Sequence, residues 1–244
     1  MTWLVAGASS GLGRALAERL ARDSRSLLLL SSDQRDVAAI SSDLQMVSGA
    51  KVRVLAHDAA DCVGLANRLF ESLGPDEAIE GLLFTLGAVS DDDGGGLDPA
   101  SVERLFRVNF LSVVSVVSRF LPRLFERRSG VIIGFGSVAA IRGRARNVAY
   151  AASKRALESY FESLRHLCEP HGITVAFYVL GYVDTNLSFG KALRLPRAST
   201  QEIAERVCSE LGRKRGKRYL PGWWLLVAGA VRLLPWPLFR RLRF

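Results

Sequence analysis

The sequence is poor in the residues that build cross-links and metal sites. Three cysteines (Cys62, Cys168, Cys208) and three histidines (His57, His166, His171) are scattered along 244 residues. An odd, widely spaced cysteine set makes no disulfide framework, and neither residue type shows ligand spacing. A reducing compartment is therefore expected, with no metal. The chain has no internal repeat and no Pro- or Ser-rich linker, so nothing divides it into separate domains. An export signal is not expected either: residues 2–6 run straight into glycines, without the basic start and about 7–15-residue apolar core of a signal peptide. Charged residues make up 23%, close to an ordinary globular chain, which excludes disorder.

The net charge of +9 is unusual and uneven. Residues 191–244 hold thirteen Lys and Arg against three Asp and Glu, a net of +10, which leaves 1–190 at −1. A nucleic-acid enzyme spreads positive charge over its folded body. Here it is concentrated in the tail, so nucleic acid is not expected as a partner.

Short continuous apolar runs at 2–6, 27–30, 51–57, 79–86, 131–135 and 173–180 read as strands. Between them, 36–47, 62–73, 99–127 and 150–169 read as helices. Strands without polar alternation, separated by helices, imply a parallel sheet covered on both faces. The expected architecture is one doubly wound α/β domain over 1–212. A basic, aromatic, helical C-terminal segment over 213–244 is appended to it.

At the first strand–helix junction stands Gly7-Ala8-Ser9-Ser10-Gly11-Leu12-Gly13. Glycine allows a tight turn and lets backbone amides approach a pyrophosphate at the helix N-terminus. Gly7, Ser9, Ser10, Gly11, Leu12 and Gly13 are thus candidate dinucleotide contacts. After the second strand come Ser31, Ser32, Asp33 and Arg35. Asp33 suits a ribose 2′-hydroxyl and Arg35 a 2′-phosphate, so NAD and NADP stay open. Asp58 follows the third strand and suits either an adenine amino group or a turn.

Tyr150 and Lys154 are spaced i,i+4 on one helix face. A nearby ammonium favours phenolate and would bring the tyrosine pKa down from about 10 toward working pH. Ser137 follows the fifth strand, where a hydroxyl can polarise a carbonyl. Asn109 lies within a long apolar helix, where a buried polar side chain needs a partner.

This ordered set resembles the short-chain dehydrogenase/reductase family over about residues 2–190. The matching positions are the glycine turn, Asn109, Ser137, Tyr150-x-x-x-Lys154 and Leu180-Gly181-Tyr182-Val183-Asp184-Thr185. The resemblance implies a Rossmann-type fold and reversible hydride transfer between NAD(P)(H) and a carbonyl/alcohol pair. It makes Tyr150 the general acid/base and Ser137 the carbonyl-orienting donor. Lys154 becomes a ribose contact that tunes Tyr150, and Asn109 a support of the proton relay. Gly87, Val183 and Thr185 become cofactor neighbours. The sequence departs from the family pattern in having Thr85-Leu86-Gly87-Ala88 after the fourth strand and Leu180 in place of a proline. Neither change removes a reactive group.

Arg142, Arg144 and Arg146, between Ser137 and Tyr150, are candidate clamps for an anionic substrate group. In the tail, Trp223, Trp224 and Trp236 are flanked by nine basic residues from Arg213 onward. The apolar stretch 219–231 is 13 residues long, short of the about 20 that span a bilayer. Aromatic and basic residues together suit a membrane interface, where each cation gains about 1 kcal/mol near acidic lipid. A homo-oligomer interface is the other use expected of such a segment. The tail, the arginine loop and Leu86-Gly87 also resemble a bacterial subgroup of the family that reduces a polyprenyl-phosphoryl 2-keto-pentose made by a flavin oxidase partner. That resemblance implies a peripheral protein on the cytoplasmic membrane face. A reductase of a soluble ketone or ketolipid, and a nucleotide-sensing scaffold without turnover, are the alternatives.

Overall fold

The central strands consist of aliphatic, aromatic and small residues almost without polar alternation, and both of their faces are covered. The computed structural model describes residues 1–74, 77–90, 93, 98–184, 196–213 and 215–241. Among these, β1 (Thr2–Ala6), β2 (Ser26–Ser31), β3 (Val52–Ala56), β4 (Ile79–Phe84), β5 (Gly130–Ser137), β6 (Ile173–Leu180) and β7 (Gly216–Leu220) form one sheet in the order β3-β2-β1-β4-β5-β6-β7. Every pairing is parallel. Chain order reverses between β1 and β4, and the carboxyl ends of strands at such a switch point form the crevice where doubly wound sheets bind ligands.

Successive side chains along each strand enter opposite cores. Leu4, Leu28, Leu30, Val175 and Phe177 face one core with α3 (Cys62–Glu71), α5 (Ser112–Arg127) and α6 (Val148–Cys168). Trp3, Val5, Leu27, Leu29 and Tyr178 face the other with α1 (Gly11–Arg22), α2 (Gln34–Ser48) and α7 (Thr200–Ser209). Leu27 to Leu30 are essentially inaccessible, and burial of each contributes about 1.5–3 kcal/mol. The continuous leucine run is therefore what a two-faced strand requires.

The single helix expected over 99–127 is long and apolar enough to cross a bilayer. It is, however, built as α4 (Pro99–Phe106), a π-helical turn over Arg107–Leu111 and α5. The inner face of α5, with Val113, Val116, Val117, Phe120 and Leu124, is sealed in the core.

The sheet also extends further than the sequence predicts. β7 lies within 213–244, so the segment set apart as an appendage supplies the edge strand beside β6. Its Lys217 and Arg218 hid the strand signal, since charged residues are typical of a protected edge. The tail continues as α8 (Trp224–Leu233) and a short α9 (Trp236–Phe239). Trp224 and Ala228 are buried against the body, and Trp224 meets the Tyr182 ring edge-on at 5.3 Å. A Cβ on Gly181 would stand 1.8 Å from the Trp224 indole nitrogen, so only glycine admits this approach.

Much of the tail's charge is paired internally. Lys217 and Arg232 reach Glu158, Arg215 reaches Glu169 and Arg218 reaches Glu210. Replacing Trp224 by alanine should cost about 3–5 kcal/mol, the usual loss for a buried tryptophan. Equilibrium urea unfolding checks this value.

Candidate active site

The glycine turn is held by steric and polar constraints together. Gly7 has φ +93°, and a Cβ on Gly13 would stand 2.1 Å from the Gly7 carbonyl oxygen. Ser10 caps α1 by accepting from the Gly13 amide at 3.0 Å. Gly11 and Leu12 occupy the first helical turn, where amides lack an intrahelical acceptor. The Leu12 side chain is buried in the core, so that residue offers only its backbone. Free amides at the positive end of a helix, in a cradle that side chains would fill, fit a dinucleotide pyrophosphate. The sequence reading missed Thr85, whose hydroxyl donates toward Ala6 O and Gly7 O at 2.9 and 3.1 Å. It ties the turn to the end of β4.

Ser31 is committed to structure. It donates to Ser9 Oγ at 2.9 Å and accepts from the Asp33 amide at 3.1 Å. Ser32 is exposed. Exposed Asp33 caps α2, with Oδ1 accepting from the Arg35 and Asp36 amides. Asp58 makes the turn that was the alternative to an adenine contact: Oδ1 accepts from the Ala60 amide at 2.9 Å, and both oxygens receive Arg104. That amide, more than Arg104, holds the carboxyl below its ordinary range.

The reactive groups converge at the carboxyl ends of β4 and β5. Asn109 sits at the centre of the π-turn, fully buried. Its Oδ1 accepts from the Ala88 amide at 2.7 Å, and Nδ2 donates to Ala88 O and Ser153 Oγ, each at 3.0 Å. The partner its sequence position demanded is thus the loop after β4. Ser153, also unnoticed in the sequence, passes this connection to the Tyr150 carbonyl at 2.8 Å. Ser137 closes β5, accepts from the Ala139 amide at 3.1 Å and lies close enough to the Tyr150 hydroxyl to favour its ionised form. Gly87 stands beside Lys154 and Asn109, where a Cβ would meet Lys154 Nζ at 3.6 Å. Val183 is buried and bridges to Ala198. Thr185 lies outside the described residues.

The electrostatics differ from the sequence expectation. Lys154 Nζ donates to Leu86 O at 3.0 Å and Phe135 O at 3.3 Å. Burial pulls its pKa down to about 8. The Tyr150 phenol is pushed up, not down: desolvation outweighs the opposing influence of the neighbouring Ser137 hydroxyl. The tyrosine is therefore kept protonated, the form a carbonyl reduction consumes.

Arg142 also departs from its expected role. It donates to Val231 O at 3.0 Å and to Leu234 O at the end of α8, and its guanidinium lies 4.1 Å from the Phe239 ring centroid. Helix ends expose carbonyls that attract cations, so this arginine clasps the tail. Arg144 is half-buried and Arg146 exposed.

The profile of the family described as short chain dehydrogenase matches residues 1–192. An uncharacterised oxidoreductase of Streptomyces coelicolor is 31% identical over 246 residues, covering 98% of this chain and 94% of that protein. A short-chain dehydrogenase of Sphingobium yanoikuyae solved in complex with NADPH has a TM-score of 0.82 at 24% identity, covering 99% of this chain and 96% of that one. A 3-oxoacyl-(acyl-carrier-protein) reductase of Brucella melitensis solved with bound NAD has a TM-score of 0.79 at 19% identity, covering 90% and 88%. At these identities the two structures speak for the fold.

Two outcomes follow from the geometry. Gly13→Ala should lower stability by about 1–3 kcal/mol through overpacking and weaken dinucleotide binding, read by urea unfolding and by NADPH fluorescence titration. Because Lys154 is charged below its pKa of about 8, ketone reduction should be intact below that pH and decline above it in a pH–rate profile.

Proposed function

The chain belongs to the short-chain dehydrogenase family and is an NAD(P)-dependent oxidoreductase; from that premise we propose that it reduces a ketone on a lipid-linked sugar to a secondary alcohol at a membrane surface. The observation that carries the chemistry is the convergence of Ser137, Tyr150 and Lys154 at the crevice end of the sheet, with Lys154 anchored to Leu86 O and Phe135 O. Bound NADH or NADPH supplies the hydride equivalent for the carbonyl carbon. The amides of Gly11 and Leu12 would hold its pyrophosphate. Ser137 donates a hydrogen bond to the carbonyl oxygen and so orients it. Tyr150 delivers its proton to that oxygen as negative charge develops there. Lys154 would hold positive charge toward the nicotinamide ribose of the bound cofactor, and the Asn109–Ser153 connection fixes the backbone of Tyr150.

The tail supports the lipid-linked part of this reading. Leu225, Leu226, Leu233, Trp236 and Leu238 on α8 and α9 are exposed, Leu226 to 78% and Trp236 to 62%. Arg240 and Arg241 are exposed next to them. Apolar side chains rimmed by cations suit insertion at the headgroup level of an anionic bilayer. In sequence, this tail, the arginine loop and Leu86-Gly87 resemble the reductase component of decaprenylphosphoryl-β-D-ribose 2′-epimerase. On that reading the protein is peripheral on the cytoplasmic membrane face. Its ketone arises from a flavin-dependent oxidation of the corresponding alcohol, and residues beyond the sheet serve as the membrane segment.

Oxidation of NADH and NADPH is to be followed with a polyprenyl-phosphoryl 2-keto-pentose, a 3-ketoacyl thioester and a long-chain ketolipid. The first should turn over fastest, and Tyr150→Phe should lower the rate at least about 10²-fold while retaining dinucleotide binding. Preference for either of the others overturns the sugar assignment. Tight dinucleotide binding with no turnover of any ketone overturns the enzymatic one. The triple variant Leu226→Gln, Leu233→Gln, Trp236→Gln should lose flotation with anionic vesicles. If flotation persists, or if only the oligomeric mass changes, the face serves self-association.

A further inference from the structure

Tyr150 is the third residue of α6, in a first turn whose amides have no intrahelical acceptor. The residue at the N-cap position, Asn147, makes no capping bond with its side chain. Such a turn frays in isolation, and a frayed first turn would let the reactive hydroxyl wander. The acceptors come from elsewhere in the chain. Asp93 is 1% exposed, and its Oδ1 and Oδ2 accept from the amides of Ala149 and Tyr150, each at 2.8 Å. Its backbone oxygen accepts from the Val148 amide at 3.3 Å. Three consecutive first-turn amides thus end on one residue of the connection that follows β4.

Sealing a carboxylate from water is costly unless its oxygens are satisfied. Here both are satisfied by the positive end of a helix, where negative charge is favoured. The same connection accepts the Lys154 ammonium at Leu86 O and brackets Asn109 at Ala88. Asp93 therefore completes a set in which one stretch of chain contacts each of the three residues on the helical side of the site.

We propose that Asp93 is a positioning residue for the reaction. It caps the first turn of α6 and thereby fixes the Tyr150 hydroxyl relative to Ser137. The proposal rests on Tyr150 acting as the proton donor. Displacement of a reacting group by 1 Å costs on the order of 10²-fold in rate, so the cap acts on turnover more than on cofactor affinity.

The test compares the full chain with Asp93→Ala and with the near-isosteric Asp93→Asn. Amide hydrogen exchange is read over 147–154, NADPH affinity by fluorescence, and kcat with the ketone that turns over fastest among those above. In Asp93→Ala, exchange at 148–150 should rise about tenfold, with the strands unchanged. Its kcat should fall about 10–100-fold while the NADPH Kd stays within about threefold. Asp93→Asn keeps one acceptor oxygen and should fall between. If the alanine variant does not fold, the asparagine variant carries both readings. Unchanged exchange at 148–150 overturns the proposal, as does raised exchange with full kcat. A parallel loss of kcat, NADPH affinity and strand protection also overturns it, because that pattern is general destabilisation. The exchange measurement needs no turnover, so absence of activity in the parent protein sinks the Tyr150 reading, whereas unchanged exchange sinks the cap.

Discussion

The exit of β4 is where the constraints of this structure meet. Thr85 locks the glycine turn through Ala6 and Gly7, Leu86 receives the Lys154 ammonium, and Ala88 brackets Asn109 with both its amide and its carbonyl. These contacts are made mostly by backbone atoms, which are insensitive to side-chain identity. That explains how the chain can carry Thr85-Leu86-Gly87-Ala88 in place of the usual family residues and still assemble the site. The strand end lies beside the switch point of the sheet, so a displacement there would disturb the glycine turn and the first turns of α6 together.

The legibility of this site in the sequence follows from the kind of physics each part uses. Local physics leaves a local mark. The glycine turn shows because only glycine tolerates its φ and close approaches. Tyr150 and Lys154 show because a helix brings i and i+4 together, and the strands show because burial on two faces demands unbroken apolar runs. Asn109 advertised a need for a partner but not which one, since its partner lies 21 positions away. Thr85, Asp93 and Ser153 were invisible because each acts through a polar contact to another element, with no period or spacing to reveal it. β7 was hidden by its own protective charges.

Electrostatic expectation failed where burial outweighed pairing. Spacing alone suggested that Lys154 would acidify Tyr150. In the folded chain the ammonium spends its hydrogen bonds on two carbonyls and is itself desolvated, and the phenol moves the opposite way. The tail shows a similar redistribution. A +10 segment read as basic charge for a membrane or oligomer interface also pairs Lys217 and Arg232 with Glu158, Arg215 with Glu169 and Arg218 with Glu210. What remains outward on α8 and α9 is apolar surface as much as charge.

The clasp of Arg142 on the end of α8 makes the last helices mechanically continuous with the loop that leaves Ser137. Two carbonyls and an aromatic ring of α8 and α9 are thereby tied to a loop that begins a few residues after Ser137. A purification tag, fusion partner or shortened form that perturbs this end is therefore expected to disturb the loop beside Ser137 as well. Rates measured on such proteins are to be set beside those of the unmodified chain before they are read as properties of the crevice.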